Sequence, residues 1–365
     1  MKVAIRVDSS DLLGSGHVMR CLTLADMLSS FGAVVRFICL NLPGNLSDYV
    51  LGRGFHVDHI EPRRRYASSN QEELLAELRL DEDYDSEQTL SLLERHPLHD
   101  WIIVDHYALD ERWEQRVRKR TSGILVIDDL ADRAHNCDLL LDQNFHYDMK
   151  SRYAGLVPDN CLLLLGPEFL LLREEFREFE GRRKNRDGTL SRLLIFFGGS
   201  DVSNETEKAL QAIRLLDRDL HVDVVVGASN PHQERIRAIC DSTAGMVFHC
   251  QIDYMAELMN EADLAIGAGG ATTWERCYLG LPALILILTE NQRIGIRQLE
   301  PTGAFVNLGD CLQVSQEQIR RHLERLLDSP QLLKELSEKA SALVPSKIVY
   351  GTAEWRRLFK KEESE

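Results

Sequence analysis

The chain has 365 residues, of which 44% are hydrophobic, and a formal net charge of −15. This length predicts two domains, since a domain holds roughly 100–200 residues. The negative charge argues against a general binder of nucleic acid or of a membrane surface, because both need a basic patch. We expect no membrane span, because no apolar run approaches about 18 residues. The N-terminus lacks a signal-peptide pattern, which favours a cytoplasmic protein.

The first half of the chain alternates predicted strands with predicted helices. Apolar runs predict strands at 3–7, 33–40, 54–60, 101–104, 124–127, 137–142 and 161–165. Strands in such alternation are typical of a parallel sheet with helices on both faces. A polar segment at 61–99 interrupts the pattern, and its role is left open. Its acidic run at 81–85 does not complete an EF-hand loop, and we interpret it as a solvated surface.

A basic, glycine-containing run at 176–192 predicts a linker. It separates an N-terminal domain at 1–175 from a C-terminal domain at 193–345, and a charged tail at 346–365 is expected to be helical in part. Further strands are predicted at 193–197, 222–226, 246–249, 264–266 and 283–288. The sequence therefore predicts two α/β domains of Rossmann-like type.

One glycine-rich turn, Gly14-Ser-Gly16, joins the first predicted strand to the first predicted helix and places His17 at the start of that helix. The helix dipole disfavours a cation there, so the imidazole is expected to be neutral and able to take a proton from water. We predict that His17 is a general base and that Gly16 gives the substrate close access to it. The alternative is a structural histidine at a helix end.

Two more glycine-rich turns follow predicted strands in the second half. The turn at 267–275 suits phosphates, because its glycines allow close approach, its threonines add hydroxyl donors and Glu275 can accept hydrogen bonds from ribose hydroxyls. The alternative is a capped helix start. Three such turns in two halves imply an anionic ligand in a cleft between the domains. The predicted binding residues of this half are Gly198, Gly199, Ser200, Asp201, Gly269, Gly270, Thr272, Thr273, Glu275, Asn291 and Gln292.

Other chemistries lack their signatures. The chain has no Walker A loop and no GxGxxG fingerprint. Its eight cysteines include no CxxC pair, and nothing near the closely spaced histidines completes a metal shell. We therefore expect neither a metal nor a cofactor. Asp105, His106 and Asp128 follow predicted strands, and for them sugar contact and a structural role both stay open.

Several motifs together identify a resemblance to a known family. They are Arg6-Val-Asp-Ser9, Gly14-Ser-Gly-His-Val-Met-Arg-Cys21, Val104-Asp-His-Tyr107, Ile127-Asp-Asp-Leu-Ala-Asp-Arg133, Leu141-Asp-Gln-Asn144, Leu165-Gly-Pro167 to Arg173, Phe196-Phe-Gly-Gly-Ser-Asp201 and Gly267-Ala-Gly-Gly-Ala-Thr-Thr-Trp-Glu-Arg-Cys277. With these the chain resembles the UDP-2,4-diacetamido-2,4,6-trideoxy-β-L-altropyranose hydrolases of pseudaminic acid biosynthesis. That family is similar to the MurG branch of the GT-B glycosyltransferases. Ala271 departs from the serine or threonine expected there.

The resemblance implies a GT-B fold and the metal-independent hydrolysis of a UDP-sugar with inversion. It implies that His17 is the catalytic base, that Glu275 binds the uridine ribose and that Arg173 contacts the substrate. The main alternative is a MurG-like glycosyltransferase that uses a UDP-sugar donor, and a second is a nucleotide-sugar binding protein without catalysis. The substituents of the sugar and the oligomeric state stay open.

Overall fold

A computed structural model describes residues 1–345 and 353–359. Contacts divide the chain into an N-terminal unit, residues 1–171 with the described residues 353–359, and a C-terminal unit, residues 172–346. Each unit is built on a parallel sheet, and helices connect most of its successive strands. The predicted fold class, two Rossmann-like α/β domains, is therefore confirmed. No helix within the described residues is long and apolar enough to cross a bilayer.

The strands of the N-terminal unit lie where the sequence predicts them, and helices alternate with them as far as β5. Its strands are β1 (Lys2–Val7), β2 (Val34–Leu40), β3 (His56–Ile60), β4 (His99–Asp105), β5 (Thr121–Ile127), β6 (Leu139–Asp142) and β7 (Leu162–Leu165). Its helices up to residue 171 are α1 (Gly16–Ser30), α2 (Ser47–Gly52), α3 (Gln71–Leu80), α4 (Glu82–Glu94) and α5 (Glu111–Val117). Within the described residues the sheet has seven strands in the order β3-β2-β1-β4-β5-β6-β7.

Both faces of this sheet are covered, which explains why its strands are continuous apolar runs. In β4, Trp101 and Ile103 belong to the core on one face, and Ile102 and Val104 belong to the core on the other. In β1, Ile5 pairs with Phe37 of β2 and with Ile103 of β4, so β1 lies in the middle of the sheet. The central strands are buried on both sides, and their carboxyl ends remain at one edge of the sheet.

The C-terminal unit repeats this architecture. Its strands are β8 (Arg192–Phe196), β9 (His221–Val226), β10 (Met246–Cys250), β11 (Leu264–Ala268), β12 (Ala283–Ile287) and β13 (Val306–Asp310). Its helices are α6 (Glu174–Arg177), α7 (Glu205–Arg214), α8 (Gln233–Asp241), α9 (Met255–Glu261), α10 (Thr272–Tyr278), α11 (Glu290–Leu299), α12 (Gln316–Leu327) and α13 (Pro330–Leu343). Within the described residues the strands are parallel in the order β10-β9-β8-β11-β12-β13.

The unit boundaries differ from the predicted domains at the stretch 176–192. The contacts place this stretch inside the C-terminal unit. Arg186 is buried and donates to the carbonyl oxygens of Ala262 and Leu279, and Lys184 pairs with Asp263 at 2.6 Å. Arg186 and Lys184 therefore attach the stretch 176–192 to the second unit. A linker between two domains would not be held in this way.

The tail predicted at 346–365 contains the expected helix and also contributes to a core. Helix α14 (Ala353–Leu358) returns to the N-terminal unit, where Trp355 and Phe359 join the core beside Trp101. The indole N–H of Trp101 donates to the carbonyl oxygen of Phe359 at 3.2 Å. The rest of the predicted tail lies outside the described residues. A chain end with two buried aromatic side chains is part of the core, although its composition is charged.

The interpretation of the acidic run 81–85 as a solvated surface is wrong. Asp81, Glu82 and Asp85 are buried. Asp85 accepts hydrogen bonds from Arg6 of β1 and from the indole N–H of Trp113 at 2.8 Å. Asp85 is buried because α4 places it against the buried Arg6, and Asp81 and Glu82 pair with Arg64 and Arg112. The segment 61–99 thus contributes two helices to this unit.

Candidate active site

The topology of each sheet brings together polar residues that are far apart in sequence. In the N-terminal unit the strand order reverses between β1 and β4, and such a switch point is where open α/β sheets bind ligands. His17 follows β1 through the first glycine turn, and Asp105 is the last residue of the neighbouring β4. The two residues therefore lie at the carboxyl edge of adjacent strands.

His17 and Asp105 form a direct pair. The Nδ1 atom of His17 lies 2.5 Å from Oδ1 of Asp105, and the carboxylate is almost fully buried. A carboxylate can only accept, and Nδ1 lies closer to it than to the Nη2 donor of Arg20, at 3.1 Å, so Nδ1 carries the proton and Nε2 presents its lone pair. Within the described part of the chain, Nε2 makes no hydrogen bond. This is the arrangement in which a histidine can accept a proton from water.

Arg20 holds Asp105 in place. It lies one helical turn after His17, so both side chains leave the same face of α1. Its Nε and Nη2 atoms donate to the two carboxylate oxygens of Asp105 at 2.5 and 2.6 Å, and Nη1 donates to Asp129 at 2.9 Å. Burial alone would raise the pKa of Asp105, but Arg20 and His17 hold it well below its ordinary value. Asp105 therefore stays a carboxylate when His17 is protonated.

Tyr107 completes this cluster. Its ring meets the His17 imidazole edge to face at 4.5 Å, and its hydroxyl donates to Asp129 at 2.7 Å. Burial and the Asp129 carboxylate raise the pKa of Tyr107, so the hydroxyl stays protonated as a donor. Tyr107 and Asp129 are among the polar residues after predicted strands that the sequence marks as candidates to line a site, whereas Arg20 is not predicted as a site residue. Its spacing of one helical turn from His17 is the signal that would have found it.

The other polar residues that follow these strands bind the chain itself. His106 lies 3.0 Å from Asp8 through Nε2, and its Nδ1 accepts from the backbone N–H of Ala108. Asp128 accepts from the backbone N–H of Ala131 at 2.8 Å and from the hydroxyl of Tyr153. Of the three residues left open, Asp105 therefore contacts the predicted base, whereas His106 and Asp128 stabilise loops.

The two glycine turns of the C-terminal unit also follow adjacent strands at a switch point, β8 and β11. In the first turn, Gly198 has a φ of 96°, a conformation that glycine adopts without strain. Gly199 accepts at its carbonyl oxygen from the backbone N–H of Gly227, and Ser200 is half-buried. The carboxylate of Asp201 accepts from two backbone N–H groups at the start of α7. Asp201 thus caps a helix, while the glycines and Ser200 line the turn.

The second turn runs from the end of β11 into α10. A side chain at Gly269 would collide with Ile296, whose nearest carbon lies 2.5 Å from the position of an added Cβ. At Gly270 the nearest atom is Nε2 of Gln292, at 3.8 Å. The hydroxyls of Thr272 and Thr273 both face the guanidinium of Arg276. The structure therefore brings together the predicted turn residues and Gln292.

Glu275 and Arg173 form an ion pair. Nε of Arg173 donates to Oε1 of Glu275 at 2.8 Å, and Arg173 also contacts Glu175 at 2.5 Å. The second oxygen of Glu275, Oε2, is buried and has no hydrogen-bond partner among the described residues. Arg173 belongs by its contacts to the C-terminal unit rather than to the predicted N-terminal domain. It orients a carboxylate that keeps one oxygen available as an acceptor.

The last two predicted binding residues lie on α11, which follows β12. The side-chain oxygen of Gln292 accepts from the backbone N–H of Leu288 at 3.1 Å, which fixes the amide next to the turn at Gly270. The side chain of Asn291 lies outside the part that the structure describes. Gln292 therefore has a defined place beside the turn.

Comparison with known protein families gives a match in the second unit. Residues 193–348 match the glycosyltransferase family 28 C-terminal domain. The matched range begins within β8 and includes both glycine turns, α10 and the half-buried Glu275. The predicted binding residues of the C-terminal half, from Gly198 to Gln292, therefore all lie inside the matched range.

Relatives are similar to the chain at 27–30% identity. The UDP-2,4-diacetamido-2,4,6-trideoxy-β-L-altropyranose hydrolase of Campylobacter jejuni is 27% identical, with 80% of this chain and 93% of the relative covered. The spore coat polysaccharide biosynthesis protein SpsG of Bacillus subtilis is 30% identical over 59% of this chain and 63% of its own length. An uncharacterised protein of Methanocaldococcus jannaschii is 27% identical over 80% of this chain, and the match spans only 57% of that relative.

Solved structures decide the fold. MurG of Acinetobacter baumannii superposes with a TM-score of 0.61 at 16% identity, with 98% of each chain covered. The spinosyn rhamnosyltransferase SpnG superposes with a TM-score of 0.63 at 17% identity, with 99% of this chain and 100% of that chain covered. The chain has the GT-B fold. This confirms the fold that the sequence resemblance implied.

Proposed function

We propose that the protein is a nucleotide-sugar hydrolase that removes UDP from UDP-2,4-diacetamido-2,4,6-trideoxy-β-L-altropyranose or a close relative. The observation that carries the proposal is the His17–Asp105 pair, in which a buried carboxylate 2.5 Å from Nδ1 leaves Nε2 as a proton acceptor. A relative with this activity in its name covers 80% of the chain. Hydrolysis needs a base for water, and His17 is suited to that role.

The proposal assigns the nucleotide to the C-terminal unit. Thr272 and Thr273 offer hydroxyls to phosphate oxygens, and Oε2 of Glu275 offers an acceptor to a ribose hydroxyl. Its other oxygen is held by Arg173, so the carboxylate does not need to reorient on binding. Recognition of a ribose by a fixed carboxylate is common in Rossmann-like domains.

The chemical step is a direct displacement. A water oxygen attacks the anomeric carbon as Nε2 of His17 accepts the water proton. The bond between the anomeric carbon and the phosphate oxygen breaks, and UDP leaves with the electron pair, so the anomeric centre inverts. Asp105 stabilises the imidazolium that forms, as the carboxylate of a serine–histidine–aspartate triad does for its histidine. The diphosphate is a good leaving group, so the step needs no general acid.

A second candidate function is glycosyl transfer from a UDP-sugar. It is favoured by the match to the family 28 glycosyltransferase C-terminal domain and by the folds of MurG and SpnG. Both functions use the same nucleotide site and differ in the nucleophile, which is water in one and a sugar hydroxyl in the other. The nucleophile is therefore what an experiment has to identify.

The deciding experiment incubates the purified protein with the UDP-sugar and no acceptor. We expect stoichiometric release of UDP and free sugar, with proton NMR showing the inverted anomer first. Release of UDP only after a carbohydrate acceptor is added would support the transferase instead. A panel of UDP-sugars in the same assay identifies the sugar. Binding of the UDP-sugars without turnover under either condition would indicate a binding protein.

A further inference from the structure

Arg276 is a buried guanidinium packed against the glycine turn of the C-terminal unit. It is only 2% exposed. Its Nη2 atom donates to the carbonyl oxygen of Ala268 at 2.8 Å and to Oγ1 of Thr273 at 3.0 Å, and Nη1 lies 3.4 Å from Oγ1 of Thr272. The guanidinium therefore contacts the last residue of β11 and both threonines of the turn.

The charge of Arg276 has no ion-paired carboxylate in the described part of the chain. Its hydrogen-bond acceptors there are neutral oxygens, and its Nε is buried without a partner. The nearby carboxylate of Glu275 is bound to Arg173. Burial lowers the pKa of Arg276 to about 10, so the group is still a cation at neutral pH. A buried cation without a hydrogen-bonded carboxylate is costly, and an anionic ligand would remove that cost.

The backbone next to Arg276 leaves room for the guanidinium. An added Cβ at Gly267 would lie 3.1 Å from Nη1 of Arg276 and 2.3 Å from the carbonyl oxygen of Phe196. A larger residue at this position would push the guanidinium away from the turn. Gly267 therefore allows the guanidinium of Arg276 to lie next to the turn.

A second buried arginine of the same unit provides a contrast. Arg186 is 5% exposed, and burial lowers its pKa to about 10 as well. Its Nε and both terminal nitrogens donate to backbone carbonyl oxygens, namely those of Ala262, Leu279, Met259 and Asn260. All its nitrogens are used to tie a loop to the unit. Arg276 differs because it keeps an unpartnered nitrogen and contacts the predicted phosphate turn.

We propose that Arg276 is a positioning residue for the diphosphate of the bound nucleotide. The inference rests on the proposed function, which places the nucleotide at this turn. Each threonine oxygen accepts from the guanidinium, so its own O–H is polarised and left to donate to a phosphate oxygen. When the bond to the sugar breaks, the diphosphate gains negative charge, and the buried cation stabilises that charge in a medium of low dielectric constant.

The test compares the binding of UDP and uridine by calorimetry in the wild type, in Arg276→Met and in Arg276→Lys. We expect Arg276→Met to weaken UDP binding by about tenfold or more, the scale of one lost charge interaction, and to leave uridine binding almost unchanged. Arg276→Lys keeps the charge and should retain more of the preference for UDP. With the UDP-sugar, Arg276→Met should lower kcat as well, because the leaving diphosphate loses its stabilising charge.

Two further variants separate this role from a structural one. Arg186→Met removes a buried arginine that does not contact the turn, so it should leave the ratio of UDP to uridine affinity at the wild-type value. Thr273→Val removes a polarised hydroxyl with little change in shape and should lower that ratio, which keeps the test decisive if Arg276→Met does not fold.

The outcomes distinguish this inference from the function on which it rests. A wild-type protein that binds no UDP overturns both. A wild-type protein that prefers UDP to uridine, with the same preference in Arg276→Met, or in Thr273→Val if Arg276→Met does not fold, overturns the role of Arg276 alone. Equal losses of UDP and uridine affinity in Arg276→Met would show that the guanidinium only shapes the turn.

Discussion

At the scale of single residues, His17 depends on a partner that lies 88 positions away in sequence. Asp105 orients the imidazole, and Arg20 anchors Asp105 through two hydrogen bonds. The helix dipole predicts only that the imidazole is neutral, whereas the carboxylate determines which nitrogen carries the proton. The proposed chemistry therefore depends on a set of residues rather than on one histidine.

We predict that His17→Ala lowers kcat by roughly 10²-fold or more, the usual effect of losing a general base. The affinity for UDP should not change, since the nucleotide is assigned to the other unit. Initial rates of UDP release and calorimetry with UDP measure the two quantities. Asp105→Asn should also lower kcat, because an amide can donate to Nδ1 and so favour the wrong tautomer. Wild-type activity in His17→Ala would show that the histidine is structural.

A second prediction concerns His99, at the opposite end of β4 from Asp105. His99 is buried, and burial, together with the nearby cations Arg36, His96, Arg120 and Lys2, lowers its pKa to about 4. At a pH between 6.5, the ordinary pKa of histidine, and about 4, the pKa of folded His99, the unfolded chain binds more protons than the folded chain. The stability contributed by neutral His99 is therefore complete above pH 6.5 and is lost as the pH falls toward 4.

This loss should amount to roughly 2–3 kcal/mol in the free energy of unfolding. Urea denaturation at pH 7, 5.5 and 4 measures it, and His99→Gln should flatten the curve because glutamine does not titrate. His56→Gln, at an exposed histidine of β3, is the matched control. If the free energy of unfolding of His99→Gln fell with pH as steeply as that of the wild type, other groups would cause the acid sensitivity.

At the scale of elements, the strands follow closely from local sequence. Most are apolar runs, and the predicted positions agree with the observed strands to within a few residues. β13 was missed because Val306–Asp310 has only two large apolar residues, is half-buried and contains Gly309. The weak alternation of an edge strand explains the omission, since such a strand buries little apolar surface.

Helix α14 should stabilise the N-terminal unit. Trp355 is fully buried and lies 6.5 Å from the ring of Phe169 and 5.8 Å from that of Phe359. Replacing it with alanine should cost about 3–5 kcal/mol of the free energy of unfolding, the usual effect of removing a buried aromatic side chain. Denaturation followed by circular dichroism measures this cost. Arg357→Ala, at an exposed position of the same helix, should change the free energy of unfolding by less than about 0.5 kcal/mol. Equal losses in the Trp355 and Arg357 variants would contradict the burial of Trp355 in the core.

Two glycines should respond to alanine with opposite signs. At Gly267 the added Cβ would lie 2.3 Å from the carbonyl oxygen of Phe196, so Gly267→Ala should destabilise the protein by roughly 1–3 kcal/mol. At Gly295, inside α11, no atom lies within 4 Å of the added carbon. There alanine should stabilise by up to about 1 kcal/mol, because it favours the helix. Thermal unfolding of both variants tests the pair, and shifts in the same direction would be inconsistent with this packing.

At the scale of the whole molecule, each unit has its own sheet and its own core. The proposed function gives each unit a different task, with the nucleotide in the C-terminal unit and the base in the N-terminal unit. A ligand stabilises the state that binds it. Binding of UDP alone should therefore affect the two units unequally.

We predict that UDP at 100 times its dissociation constant stabilises the C-terminal unit by about 2.7 kcal/mol. Hydrogen exchange should show the protection in β11 and α10, whereas β1 and β4 exchange as in the free protein. UMP and adenosine diphosphate serve as controls for the second phosphate and for the base. Protection that appears first around His17 would contradict the assignment of the nucleotide.

The strands, the three glycine turns and the polar residues that follow strands can be read from the sequence, because periodicity and turn chemistry are local properties. Which of these residues contact one another depends on the tertiary fold. The strand order places β1 beside β4, which brings His17 to Asp105. The packing of other segments joins Arg173 to Glu275 across 102 positions and buries Asp85 against Arg6. Local periodicity does not encode strand order, since many orders bury the same apolar residues equally well.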